Sequence, residues 1–459
     1  NAIHFVSERF SVNSSSSSPP SPINPHTKSR ILLVISLSVF ISLVGIGMVV
    51  PILSVYADTL GASSFWIGVV FAAFSLSRTV CMPFFGRMAD RYEKKHMMAA
   101  GLFFYAIISL GYILAPTVVL LTIVRFVHGI TSAMIAPVAM AYLGDVAGRG
   151  EEARVMSRFQ ASMLFGFGAG PLMGGVIYDL FGFSAAFYAL MACSALACLV
   201  VVLFLPEERS LLSTGETCGG VGEQGPGCEA VEAKCPNCGP DHPEKNPKPN
   251  QSGDWQTLRR LLLHPLYGGT MMISFASEFG MIGILVFIPL FVPLFGISPA
   301  GAGIIISLNV FVAGTLQMVF GRIGDSANRY MLIIPGALTF AVTLAAFPLC
   351  TTLPGFLLVS CVNAVGALFF FPAVSATMVE AGRQCGMGTT MGIYNAVRGV
   401  SAIIAPLAGG ILADIFGLEA VFLLIGVFIA ICTGLFFVLV MVGRRAVPNN
   451  NPLDGEKEG

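Results

Sequence analysis

Charge is what this chain has least of. Only 11% of its 459 residues are Asp, Glu, Lys or Arg, while 55% are hydrophobic; a soluble domain carries about 25% charged residues. So little charge makes lipid the main solvent of the chain. The signs cancel as well, with 25 basic and 25 acidic residues, which leaves no net field to attract nucleic acid. Alternating apolar and polar segments are missing, and with them the pattern of a membrane barrel. No cleavable signal peptide is evident, because residues 1–29 are rich in Ser and Pro and run through Ser14 to Ser18; such a stretch is expected to be a disordered tail. Nor is there a nucleophile–base constellation, a phosphate-cradling loop or a membrane metal cluster. Neither an enzyme nor a cofactor is expected.

What fills the chain instead is uninterrupted apolar sequence. Runs of the length that crosses a ~30 Å hydrocarbon core, about 17 to 25 residues, occur near 31–55, 66–85, 97–114, 118–143, 157–178 and 184–205. A second set occurs near 266–292, 300–321, 331–349, 354–378, 387–412 and 418–442. A bilayer offers no hydrogen bonds to an open backbone, so continuous runs of this kind predict helices. The expected fold class is an all-α membrane protein with twelve transmembrane helices. Residues 30–205 form an N-terminal six-helix half and 266–443 a C-terminal one. The linker 206–265 joins them, and 444–459 form a second tail.

The two halves are copies. Gly86-Arg87-Met88-Ala89-Asp90 returns as Gly321-Arg322-Ile323-Gly324-Asp325, Pro137 as Pro372, and Asp145 as Glu380. Gly170-Pro171-Leu172-Met173-Gly174-Gly175 returns as Ala405-Pro406-Leu407-Ala408-Gly409-Gly410, and Asp179-Leu180-Phe181-Gly182 as Asp414-Ile415-Phe416-Gly417. The offset is constant throughout, without a gap. Parallel repeats of this kind place a binding site where the copies meet.

Lys and Arg gather in alternate loops, at Lys28 and Arg30, at Arg87, Arg91, Lys94 and Lys95, at Arg149, Arg154 and Arg158, and again after the even-numbered spans of the second half. The intervening loops near 56–65, 115–117, 179–183, 293–299, 350–353 and 413–417 contain none. The positive-inside rule puts both termini and the linker in the cytoplasm of a multi-pass cell-membrane protein. The linker holds Cys235-Pro236-Asn237-Cys238 with His242 close by. Two thiolates at that spacing can occupy adjacent corners of a zinc tetrahedron, but the Gly- and Pro-rich surroundings equally suit a plain tether.

Gly86 to Lys95 resembles the loop signature of the major facilitator superfamily, a Gly followed by Asp-Arg and basic residues. In the physical reading Gly86 lets two helices approach, and Asp90 caps a neighbouring helix N-terminus and pairs with Arg91. Gly321 and Asp325 repeat this latch, with Ser326 where the first copy has Arg91. Arg125-Phe126-Val127-His128-Gly129 resembles the family's second signature. Arg125 lies about seven residues, or about 10 Å, into its helix, so it is expected to face a cavity or a polar partner. Gly166, Gly170, Pro171, Gly174 and Gly175 resemble the Gly-Pro motif of the twelve-span drug/proton antiporter branch. Glycines four apart permit close helix packing, and Pro171 bends the helix. That branch often has an acid before the Gly-x-Gly of span 1, where this chain reads Ser42-Leu43-Val44-Gly45-Ile46-Gly47.

Ionisable groups in mid-membrane cost at least ~2.5 kcal/mol each and mark function by default. Four are found: Arg78, Arg125, Glu278 and Arg398. Glu278 is the acid nearest the middle of a span and is the expected proton-coupling group together with Arg125, although a structural ion pair would also explain it. Arg78 and Arg398 are expected to approach one another and, with Gln317, Asn309, Asn363, Asn395, Tyr394 and His128, to line the cavity or tie helices together. Three deep arginines against one acid suggest a substrate with an anionic group. The resemblance implies alternating access by a monomer that exports a small organic molecule, a drug or metabolite, against protons. An organic-anion carrier without proton antiport, or a transporter-like sensor that moves nothing, are the alternatives.

Overall fold

In the computed structural model, residues 25–89, 91–147, 151–207, 259, 263–320, 329–385 and 387–446 are described, and among them there is no strand. The first half contains α1 (Pro25–Thr59), α2 (Ser64–Ala89), α3 (Lys94–Ile113), α4 (Val118–Ser132), α5 (Ala136–Val146), α6 (Glu152–Phe181) and α7 (Phe183–Phe204). The second contains α8 (Pro265–Phe291), α9 (Pro299–Phe320), α10 (Arg329–Ala346), α11 (Leu353–Cys385), α12 (Met387–Phe416) and α13 (Leu418–Ala446). Because α4 and α5 share one span, the helices make twelve apolar crossings, at the places the hydrophobic runs predict.

Two details differ from the sequence reading. First, α1 begins at Pro25, inside the stretch expected to be a tail. Proline suits a first helical position, where no N–H bond is lost, and Lys28 in the first turn pairs with Glu151 ahead of α6. Second, the fourth span breaks after Ser132. Pro137 stands in the first turn of α5 and has no N–H to continue α4, while the Thr131 hydroxyl donates to the His128 carbonyl at 2.9 Å. Its counterpart Pro372 stays inside an unbroken α11.

The packing repeats as the sequence does. α1 lies on α6 and α7, α3 on α7, and α2 on α4; in the second half α8 lies on α12 and α13, α10 on α13, and α9 on α11. The halves meet where α6 runs along α9 and α2 along α12. Lipid tails are as apolar as leucine, so these helices associate through close contact rather than water exclusion. A Cβ at Gly170 would stand 2.4 Å from the Gly47 Cα, so α1 and α6 approach this closely only because neither residue has a side chain. The inter-half crossings are equally tight and mutually symmetric. A Cβ at Gly68 would lie 2.1 Å from the Pro406 carbonyl oxygen, and one at Gly303 would lie 2.2 Å from that of Pro171. Both crossings sit toward the end of the bundle remote from the termini.

Candidate functional site

Glu278 stands at the centre of the 27-residue α8, which packs against α12. From α12, Arg398 Nε donates to Glu278 Oε2 at 2.9 Å and Nη2 reaches the same oxygen at 2.8 Å. Both contacts end on Oε2, so Oε1 has no hydrogen-bond partner among the described residues. The Glu278 side chain is 14% exposed and that of Arg398 37%, so the pair is desolvated but reachable. The Tyr394 ring lies beneath the guanidinium, 5.8 Å from centroid to Cζ, adding a cation–π contact. Arg78 on α2 is within electrostatic reach of both Glu278 and Arg398. The next residues along each helix touch, since a Cβ at Gly399 would stand 2.6 Å from Thr79 Cγ2. Glu278, Arg398, Tyr394 and Arg78 are therefore gathered at the seam between the halves.

A second polar cluster lies inside the first half. Arg125 is 2% exposed. Its Cζ is 5.1 Å from the Phe71 ring centroid and 4.6 Å from that of Phe74. Its Nη1 donates to the Tyr112 hydroxyl at 3.4 Å, and that hydroxyl lies 2.6 Å from His128 Nδ1. The Tyr112 hydroxyl thus bridges Arg125, which can only donate, and the His128 ring. The Tyr105 ring lies 3.8 Å from the His128 ring. Arg125 Nε, His128 Nε2, Tyr105 Oη and Arg78 Nε are all buried without a hydrogen-bond partner. Among the described residues, Arg125 meets aromatic rings and a hydroxyl and forms no ion pair with a carboxylate.

The second half has a neutral network at the same helical positions. The Asn309 amide donates to Asn363 Oδ1 and to the Ser360 carbonyl, each at 3.0 Å, and the Asn363 amide donates to Thr343 Oγ1 at 2.8 Å. This ties α9, α10 and α11 together, and Asn363 is 0% exposed. Gln317 is half-buried and Asn395 exposed.

Residues 35–294 and 270–458 match the profile of the Major Facilitator Superfamily. The chain belongs to this superfamily. It is 26% identical over 387 residues to an uncharacterised transporter of the superfamily from Methanocaldococcus jannaschii, covering 84% of this chain and 92% of that one. It is also 26% identical over 395 residues to multidrug resistance protein 2 of Bacillus subtilis, covering 84% and 89%. Among solved structures it resembles a bacterial homologue of the human lysosomal transporter Spinster, captured inward-facing and unoccupied, with a TM-score of 0.73 at 14% identity over 92% of this chain and 98% of that one. The molecule is thus a multi-pass facilitator-superfamily transporter, and these polar clusters lie within and between its halves.

One arrangement was missed in the sequence. Asp414, at the far end of α12, accepts the backbone N–H of Ser64 at 2.8 Å and of Phe65 at 3.1 Å, capping α2 of the other half. Its repeat partner Asp179, at the far end of α6, accepts the N–H of Ala300 at 3.4 Å in the first turn of α9. Each half thus clamps the other with a carboxylate on a positive helix terminus. The grip is unequal because the residue matching Ser64 is Pro299, which has no N–H to give. The repeating Asp179 and Asp414 were visible as landmarks, but their partners lie on the opposite half and no local spacing links them.

The glycine motif serves two neighbours. Gly166, Gly170, Gly174 and the Pro171 ring face α1, while Gly168, Gly175 and the Pro171 carbonyl face α9. At the other end of the molecule, a Cβ at Gly86 would meet nothing within 4 Å among the described residues. The halves' glycine crossings lie at the remote end instead. Arg91 is exposed. Asp90, Gly321 and Asp325 lie outside the described residues, as do Cys235, Cys238 and His242. No group of three or more potential metal-holding side chains occurs among the described residues.

Proposed function

We propose that this transporter exports a small organic molecule in exchange for protons, with Glu278 carrying the proton. The observation behind this reading is the mid-helix carboxylate with one oxygen held by Arg398 and the other open. Protonation of Oε1 neutralises Glu278 and weakens its hold on Arg398. Arg398 and Arg78 then face each other from opposite halves without compensation, and their repulsion favours separation at the α2–α12 seam. Return of the negative charge favours closure. A single protonation event is thereby linked to the equilibrium between two arrangements of the halves, as alternating access requires.

Arg125 assists from within the first half, where its charge and the Tyr112–His128 hydrogen bonds hold α3 and α4 against α2. The multidrug resistance relatives support export, and the distribution of Lys and Arg supports cytoplasmic termini in the cell membrane. A monomer suffices, because both halves of the pathway lie in one chain. The test is proton release by the purified protein in detergent on adding a pool of acidic and cationic compounds. Release that Glu278→Gln abolishes is the expected result, and equal release from that variant would remove Glu278 from the mechanism. A second reading, an organic-anion carrier without proton antiport, is favoured by the unpartnered Arg78. It predicts binding of the acidic compounds with no proton released.

A further inference from the structure

The repeat relates the Glu278–Arg398 site to a place in the first half that is built differently. Leu43 occupies the position of Glu278, and Met163 that of Arg398. Both line a small cavity of about 20 Å³ together with Ile46, Ser42, Ser132 and Arg78. That volume holds about one water-sized atom. Ser42 is 1% and Ser132 5% exposed, so the hydroxyls belong to the interior. Arg78 is half-buried, with its Nε buried and unpartnered. In the second half the cation has its carboxylate built in, whereas in the first half the matching positions are apolar and the cation has none.

Three charged groups meet at this seam: Arg78, Arg398 and Glu278. Two positive and one negative leave an excess positive charge in a poorly solvated place, which favours an acceptor from outside. Proton exchange, however, requires that the arriving molecule compete with the proton at Glu278 Oε1, and only a donor or cationic group does so. A purely anionic molecule would instead bind best when Glu278 is protonated, reversing the sign of the coupling.

We infer that the exported molecule is amphoteric: a carboxylate or similar acid places an oxygen in the Arg78–Ser42–Ser132 cavity, while a basic nitrogen on the same scaffold engages Glu278 Oε1 and displaces its proton. Arg78 and Glu278 lie on opposite halves, so one such molecule bridges the seam and couples its own binding to closure. This inference rests on the proton-exchange reading above.

Three matched fluorescent probes test it: dansyl-lysine with both charges, dansyl-lysinamide with the amine alone, and dansyl-norleucine with the acid alone. The purified full chain is expected to bind dansyl-lysine at least about tenfold more tightly than either of the others, the order of one charge-assisted hydrogen bond. Arg78→Gln should reduce dansyl-lysine to the level of the lysinamide, and Glu278→Gln to the level of the norleucine. Arg78→Lys, which keeps the charge, and Ser42→Ala should retain part of the preference, and monodispersity on gel filtration checks that each variant folds. Equal binding of all three probes, binding of none, or an equal loss of all three in Arg78→Gln overturns the inference. None of those results touches the proton-release test of Glu278, so the two failures are distinguishable.

Discussion

The halves of this transporter share a backbone plan but handle polarity in opposite ways. At the positions of Phe74, Tyr105, Tyr112, Arg125 and His128, the second half has Asn309, Phe340, Phe347, Ser360 and Asn363. The N–H groups of both amides are engaged, in the manner of a structural tie. The first half leaves Arg125 Nε and His128 Nε2 unanswered. At the seam the contrast repeats, with an ion pair in the second half and a lone arginine beside Leu43 and Met163 in the first. Duplication supplied one scaffold, and divergence left the cations without a carboxylate in the first copy and the paired one in the second. Buried polar groups without partners cost stability, and the charged or ring nitrogens among them, on Arg78, Arg125 and His128, all belong to the first half.

The comparison can be broken most forcefully at the glycine seam. Gly170→Val should cost about 3 kcal/mol or more by driving a side chain into Gly47, seen as loss of monodisperse protein. Ala405→Val at the matching position should be milder, since that site already accepts a Cβ. Next come the two networks. Asn363→Ala should lower stability by about 2–4 kcal/mol, because it opens a cavity and strands Asn309 and Thr343. Arg125→Met should leave thermal stability unchanged or raised while transport fails, since it removes a buried cation without a carboxylate. If the arginine variant unfolds as readily as the asparagine variant, the functional reading of the first-half cluster is wrong.

A smaller effect is expected at the clamps. Asp414→Asn should weaken the remote closure by about 1 kcal/mol, the scale of a helix cap, and Asp179→Asn by less. Pro299→Ala should bring the two clamps closer to equality by restoring an amide. Spin-label distances across each seam would report the difference. The smallest effect belongs to Lys28 and Glu151 at the opposite end of the molecule. Lys28 holds the Glu151 carboxyl below the usual carboxylate range, through its hydrogen bond and then its charge. A lowered folded pKa gives stabilisation that is present at neutral pH and is lost as pH falls through the ordinary glutamate range and below. Lys28→Ala should therefore lower the melting temperature slightly at pH 7 and leave it unchanged in acid, so that the melting temperature depends slightly less on pH.

The twelve spans were legible because each is an apolar run of membrane length, and the repeat was legible because Gly, Pro and Asp recur at a constant offset. Glu278 and Arg398 could be singled out individually as charges in apolar sequence, and their pairing is a matter of how α8 meets α12. The break in span 4 was harder to foresee, since Pro137 and Pro372 look alike in sequence and only the first ends a helix. Tyr112 and Tyr105 were overlooked because an aromatic residue in a span is ordinarily packing; their hydroxyls acquire meaning only beside Arg125 and His128.

The amide that Pro299 lacks has a further consequence. A closure fastened by two bonds along one seam and one along the other does not part evenly. It swings about the firmer edge, as a door does about its hinge, so the first gap at the remote end opens beside α9 and α6 while α2 and α12 still hold. The opening at that end is then set to one flank of a nearly symmetric molecule by a single imino acid.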